Sequence, residues 1–197
     1  MKFRKQLIFL SITLAIFFLT ACSSIGMNPV QSDSNTGDSR AYMEVNEKKL
    51  QKVTVSRVVD GDTFEIMVNN KKKKVRLILI DTPETSAPGR PKGYFGTEAK
   101  DYTISRLADQ TVWLEKDVQA NDQYGRMLRY VYLDVKDGKG EFFNGTLVRS
   151  GFARLATYPP NVKYVDQIRL WQTEAREAGR GIWKDFDQSF PDRKPEK

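Results

Sequence analysis

Histidine is absent from all 197 residues. That absence removes histidine general bases, Ser–His and Cys–His nucleophile pairs and imidazole metal ligands together. Cysteine occurs once, at Cys22, so no intrachain disulfide can form. There are no internal repeats, and residues 1–21 carry no acidic side chain. Chemistry in this chain must use carboxylates, Arg, Lys, Tyr, hydroxyls or a metal held by oxygen. What is present suffices for a core, with 40% apolar residues and three Trp. One domain with appendages is the natural organisation at this length. The formal net charge is +7, of which Lys2, Arg4 and Lys5 supply three. The remaining excess favours polyanionic partners.

The first 21 residues join a basic start to an apolar stretch from Leu7, shorter than a membrane span needs. This describes a secretory signal. Its end, Leu19-Thr20-Ala21-Cys22, resembles a bacterial lipobox, which implies lipidation of Cys22 and attachment to the outer face of the cell membrane. Acyl chains contribute about 0.8 kcal/mol per buried CH₂, so two or more anchor firmly. Residues 22–47 are rich in Ser, Asn, Asp and Gly and read as a flexible tether. The folded domain is expected over 48–185, followed by a polar tail at 186–197 that frays.

The most informative stretch is Val75 to Glu84, VRLILIDTPE. Its apolar part reads as a buried or half-buried strand running to Ile80. Arg76 interrupts it, and a guanidinium in such a strand requires an anionic or wet partner. Asp81, Thr82 and Glu84 follow at once, on a backbone stiffened by Pro83. Upstream, Val53, Val55 and Arg57 alternate on one face of a strand. Asp60-Gly61-Asp62 marks a turn, and Phe64, Ile66 and Val68 alternate before an Asn69-Asn70 hairpin. Lys71–Lys74 reads equally as a solvated tip or a phosphate contact. A helix is expected from Thr97 to Ala108, with strands at Thr111–Glu115 and Leu128–Asp134. A short helix starts at Asn144. Val165, Ile168, Trp171, Ala175 and Ala178 form the apolar stripe of a last helix. Trp183 is expected to plug the core. Five short strands, with one helix between the third and fourth, suit a small closed barrel of the OB type.

No single polar motif here is specific. Five segments in one order are: VVDGDTFEI, VRLILIDTPE, DQYGRMLRYVY, TLVRSGFARLA and GRGIWKD. Together they closely resemble the thermonuclease (staphylococcal nuclease) family, over nearly all the folded part. The resemblance implies an OB-fold, a five-stranded barrel with about three helices (α+β). It also implies Ca²⁺-dependent hydrolysis of DNA and RNA phosphodiesters with 3′-phosphate products, single strands preferred and little sequence preference. Carried over by position, Asp62, Asp81 and the Thr82 carbonyl bind Ca²⁺, and Arg76, Glu84 and Arg126 are catalytic. Tyr124 and Tyr158 hold the nucleotide, and Arg90 is a basic loop residue near the phosphate. Two departures touch nucleotide affinity. The turn before Pro159 is shorter, leaving Thr157 or nothing at a second aromatic position, and Gln123 replaces a lysine.

Elementary chemistry points the same way. Ca²⁺ takes carboxylate and carbonyl oxygens. Two guanidiniums present planar donor pairs to phosphoryl oxygens, and a carboxylate activates water. Arg76 and Arg126 as mere structural ion-pair partners is the plainer alternative. A non-catalytic nucleic-acid-binding OB barrel and a surface scaffold lipoprotein are the competing functions. A monomer is the default.

Overall fold

The structure, a computed structural model, describes residues 39–85 and 92–191. Nine strands appear in it: β1 (Tyr42–Glu44), β2 (Gln51–Asp60), β3 (Thr63–Val68), β4 (Lys71–Leu77), β5 (Ile80–Asp81), β6 (Thr111–Glu115), β7 (Met127–Lys136), β8 (Lys139–Phe142) and β9 (Arg154–Leu155). Helices are α1 (Gly96–Leu107), α2 (Phe143–Arg149), α3 (Val165–Glu177) and α4 (Phe186–Ser189). Strands β2, β3, β4, β7 and β6 pair in that order, and β6 returns to β2. The sheet therefore closes into the expected five-stranded barrel, leaving these strands no open edge. All of its pairings are antiparallel except β4 with β7. A parallel pair needs a long crossover, and α1 with β6 supplies it. Val55, Phe64, Ile66, Val75, Leu77, Val112, Leu114 and Val131 fill the interior.

Local chemistry explains the corners. Asn69 and Asn70 both have positive φ, 49° and 59°, which is what a tight two-residue hairpin demands. In β2 the register shifts between Val55 and Arg57. This bulge turns Arg57 outward and brings Val58 into the core, so the expected single face of Val53, Val55 and Arg57 is broken. The apolar run after Val75 is not one strand either. β4 ends at Leu77, and Leu79 adopts a left-handed φ of 63°. A non-glycine residue there costs of the order of 1–3 kcal/mol and persists only when its surroundings hold it. They do: the Ile78 amide donates to the Arg129 carbonyl at 3.1 Å, and Ala156 donates to the Leu79 carbonyl at 3.0 Å. β5 then pairs with β9 in a separate two-stranded sheet.

Asn144 lies inside α2 rather than starting it. Its fully buried amide accepts from the Val131 N–H at 2.9 Å and donates to the Ile78 carbonyl at 2.9 Å. One side chain thus ties β7, α2 and the bend after β4 together.

Both ends of the domain differ from expectation. Order begins ahead of Lys48: β1 pairs with β8, and buried Ala41 donates its N–H to Thr146 Oγ1 at 3.0 Å. At the other end Ile182, not Trp183, is the buried plug, and Trp183 stacks on Phe186 at 5.0 Å. Phe190 is buried as well, because the ring covers the Arg154 guanidinium at 4.9 Å. The first residues of the expected tail are therefore part of the fold. The expected signal, Cys22 and residues 192–197 lie outside the described residues. No helix among the described residues is long and apolar enough to cross a membrane.

Asn144→Ala leaves two buried backbone groups without partners, each worth roughly 1–3 kcal/mol. Urea denaturation is expected to show a stability loss of about 2–6 kcal/mol.

Candidate active site

Arg76 leaves β4 beside Thr63, its cross-strand partner. Its guanidinium is shared between two carboxylates. Nη1 lies 2.6 Å from Asp62 Oδ2, and Nη2 lies 3.4 Å from Asp81 Oδ1. All three side chains are largely buried, at 14% exposure for Arg76 and 11% for each Asp. Asp62 sits in the turn between β2 and β3, which closes tightly against Thr82. A Cβ on Gly61 would stand 2.8 Å from Thr82 Oγ1, so only glycine fits there. The Thr82 N–H and hydroxyl both donate to Asp62 Oδ2 at 3.2 Å. Thr63 Oγ1 donates to Asp62 Oδ1 at 2.9 Å, and Thr103 on α1 donates to the Gly61 carbonyl at 2.8 Å.

Asp81, at the end of β5, has a second cationic partner. Arg154 on β9 donates to Asp81 Oδ2 through Nε at 3.2 Å and Nη2 at 3.1 Å. This fork lies within the sequence segment TLVRSGFARLA, but nothing local to that segment marks Arg154 as a partner of Asp81. The antiparallel pairing of β5 with β9 makes the contact.

Arg126 is held in the turn before β7. Asp122 Oδ1 accepts from the N–H groups of Tyr124 and Arg126, both at 2.9 Å, and Oδ2 takes Arg126 Nε at 2.6 Å. Gly125 closes the turn at φ 76°. Burial pushes the Asp122 carboxyl up, but the Arg126 guanidinium and the two backbone donors outweigh it and hold the pKa below the ordinary value. Asp60 goes the other way. Burial raises it, and Asp62 adds to the rise against the pull of the Gly61 N–H, Thr85 and Lys100. Neither Asp122 nor Asp60 stood out from sequence alone, because the neighbours that shift each carboxyl are assembled only in three dimensions.

These groups share a cleft of about 650 Å³ that Glu84 and Arg126 also line. The register places Arg76 opposite Leu128, so Arg126 leaves the turn at the start of the strand next to that of Arg76. Tyr124 and Tyr158, 75% and 64% exposed, stand on the rim of the same cleft. Asn161 secures the Tyr158 turn by accepting from the Gln119 N–H at 2.7 Å and donating to the Gln119 carbonyl at 3.0 Å. The structure thus brings together Asp62, Arg76, Asp81, Thr82, Glu84, Tyr124, Arg126 and Tyr158. Arg90 lies outside the described residues.

A closed barrel presenting guanidinium forks and oxygen-only acids to one cleft defines a class: a hydrolase acting on a phosphoryl group. The signature of the family described as "Staphylococcal nuclease homologue" matches residues 74–185. The chain is 37% identical over 172 residues to a thermonuclease of Staphylococcus hyicus, covering 87% of this chain and 97% of that protein. It is likewise 37% identical over 195 residues to endonuclease YncB of Bacillus subtilis, covering 89% and 88%. A thermonuclease of Staphylococcus intermedius is 38% identical over 148 residues, covering 75% and 85%. The chain belongs to the staphylococcal nuclease homologue family and is a nuclease of the phosphodiester-hydrolysing class.

Asp122→Asn keeps the turn's acceptor but removes the charge that aims Arg126. Activity is expected to fall about 10- to 100-fold, the scale of a misplaced reacting group. A carboxyl with a depressed folded pKa stabilises above the ordinary carboxylate range and loses that contribution as pH falls through its folded value. The stability gap between wild type and Asp122→Asn is therefore expected at pH 7 and absent in strong acid, as urea titrations at the two pH values will show.

Proposed function

We propose that this chain is a Ca²⁺-dependent, exported nuclease that hydrolyses DNA and RNA with little sequence preference and leaves 3′-phosphate ends. The observation that carries the reading is the convergence of Arg76, Glu84 and Arg126 on the cleft that also contains Asp62 and Asp81. The names of its relatives, thermonuclease and endonuclease, support it.

Asp62, Asp81 and the Thr82 carbonyl are the residues that would hold Ca²⁺. Their donors are all hard oxygens, as this ion requires. Among the described residues no group of three or more acidic side chains is arranged as a metal cage. Two carboxylates therefore have to share the work with a carbonyl. They have the capacity, because an ionised carboxylate offers about four acceptor sites. When bound, the ion supplies neutralisation of the phosphate's negative charge.

The chain's own residues do the rest. Arg76 and Arg126 present planar donor pairs to the phosphoryl oxygens, where charge builds in the transition state. Glu84, positioned by Pro83, orients the attacking water and accepts its proton. The P–O5′ bond breaks, the 5′ oxygen takes up a proton from solvent to leave as a hydroxyl, and the phosphate remains on the 3′ side. Tyr124 and Tyr158 flank the nucleotide with exposed rings. Among the described residues no element reaches out as a base-edge reader, which supports a slight sequence preference.

The lipoprotein part of the proposal rests on the sequence at Cys22 alone. Cys22→Ser is expected to move the protein from the membrane fraction to the medium; an unchanged membrane fraction refutes the anchor without touching the chemistry.

The decisive assay incubates the protein with single-stranded DNA in Ca²⁺ or in chelator. Cleavage is expected only with Ca²⁺. Retardation without cleavage would instead indicate a binding barrel. Glu84→Ala and Arg126→Ala are expected to lower kcat by about 10²–10³-fold. Arg76→Lys keeps a cation for the buried acids but loses the planar fork, and should fall as far while remaining folded by circular dichroism. Near-normal rates in all three would refute the assignment.

A further inference from the structure

The cationic strand that leads into the cleft has no role in the chemistry above. β4 opens with four exposed lysines, Lys71–Lys74. Residues two apart on a strand share a face, so Lys72, Lys74 and Arg76 form one row on the outer face of the barrel. The cross-strand partners of the row are Met67, Glu65 and Thr63 in turn. Thr63 lines the cleft, so the row runs from open surface directly to the catalytic arginine. Its pitch is about 6.6–6.8 Å, two strand residues, comparable with the reach of one nucleotide along an extended backbone.

The local charge balance is positive. Glu65 is the acid beside the row, and Arg57 claims it through two hydrogen bonds at 3.0 and 3.2 Å. The fields of Lys72 and Lys74 also bear on that carboxylate. Three cations therefore face one acid. Met67, 49% exposed next to Lys72, adds a polarisable surface against which a base can rest.

We infer that the outer face of β3 and β4 is an accessory track for the sugar–phosphate backbone of a single-stranded polynucleotide, with Lys72 and Lys74 gripping phosphates beyond the scissile one. The inference rests on the nuclease reading. It gives the enzyme a preference for long substrates over short ones, with no base recognition.

The test uses the full chain carrying Glu84→Gln, which binds without cutting, and a long labelled single strand across a salt series. Adding Lys72→Gln and Lys74→Gln is expected to weaken binding and lower the slope of log affinity against log salt by about 0.7 for each phosphate no longer gripped. Lys48→Gln with Lys49→Gln removes the same charge from the turn before β2 and should leave the slope in place. In the cleaving enzyme, the ratio of kcat/KM for the long strand to that for a dinucleotide should fall in the β4 variant. An unchanged slope, or an equal fall in the Lys48/Lys49 control, overturns the track. So does a β4 variant that loses only its binding to vesicles of anionic lipid. Failure of the nuclease reading would show separately, as no cleavage by the unmodified protein.

Discussion

A single guanidinium divided between two buried carboxylates is the interaction on which the structure depends. Arg76 faces Asp62 on one side and Asp81 on the other, and Arg154 closes the far side of Asp81. Charges this far from water are tolerated only with partners in good geometry, and stripping one partner from a buried pair costs about 3–5 kcal/mol. The neighbouring architecture serves that condition. The Gly61 turn fits against Thr82, α1 holds the turn from behind, and Phe190 roofs Arg154. The site is thus a preassembled charge lattice, and the barrel is the frame that keeps its members in reach.

Two acids in this cleft show how the same frame tunes charge in opposite directions. Asp122 lies in a turn that aims its backbone donors and a guanidinium at the carboxylate, so ionisation is favoured. Asp60 is half-buried beside the Gly61 turn and close to Asp62, so ionisation is disfavoured. The first holds the Arg126 guanidinium at the cleft; the second lies where burial and a neighbouring acid both act against its ionised form.

Much of this was legible in the chain because its signals are local. Asn69-Asn70 announces a hairpin by its tolerance of left-handed backbone, and the spacing from Val165 to Ala178 announces α3, although Ala178 itself lies exposed just past the end of the helix. The order of short motifs around Arg76 pointed to the cleft. What escaped were features fixed by distant parts of the chain. Leu79 gives no local sign that it will turn left-handed, because the cause lies in Asn144, Arg129 and Ala156, which hold the bend. The β2 bulge swaps Arg57 for Val58 without disturbing the alternation that suggested a plain strand. Phe190 looked like part of a fraying tail until Arg154 provided a surface to cover.

The parallel pairing of β4 with β7 has a consequence for how the cleft is built. Arg76 and Arg126 belong to segments that lie side by side because α1 and β6 form the crossover between them. No residue of α1 or β6 lines the cleft, yet both must be in place for the two guanidiniums to face it.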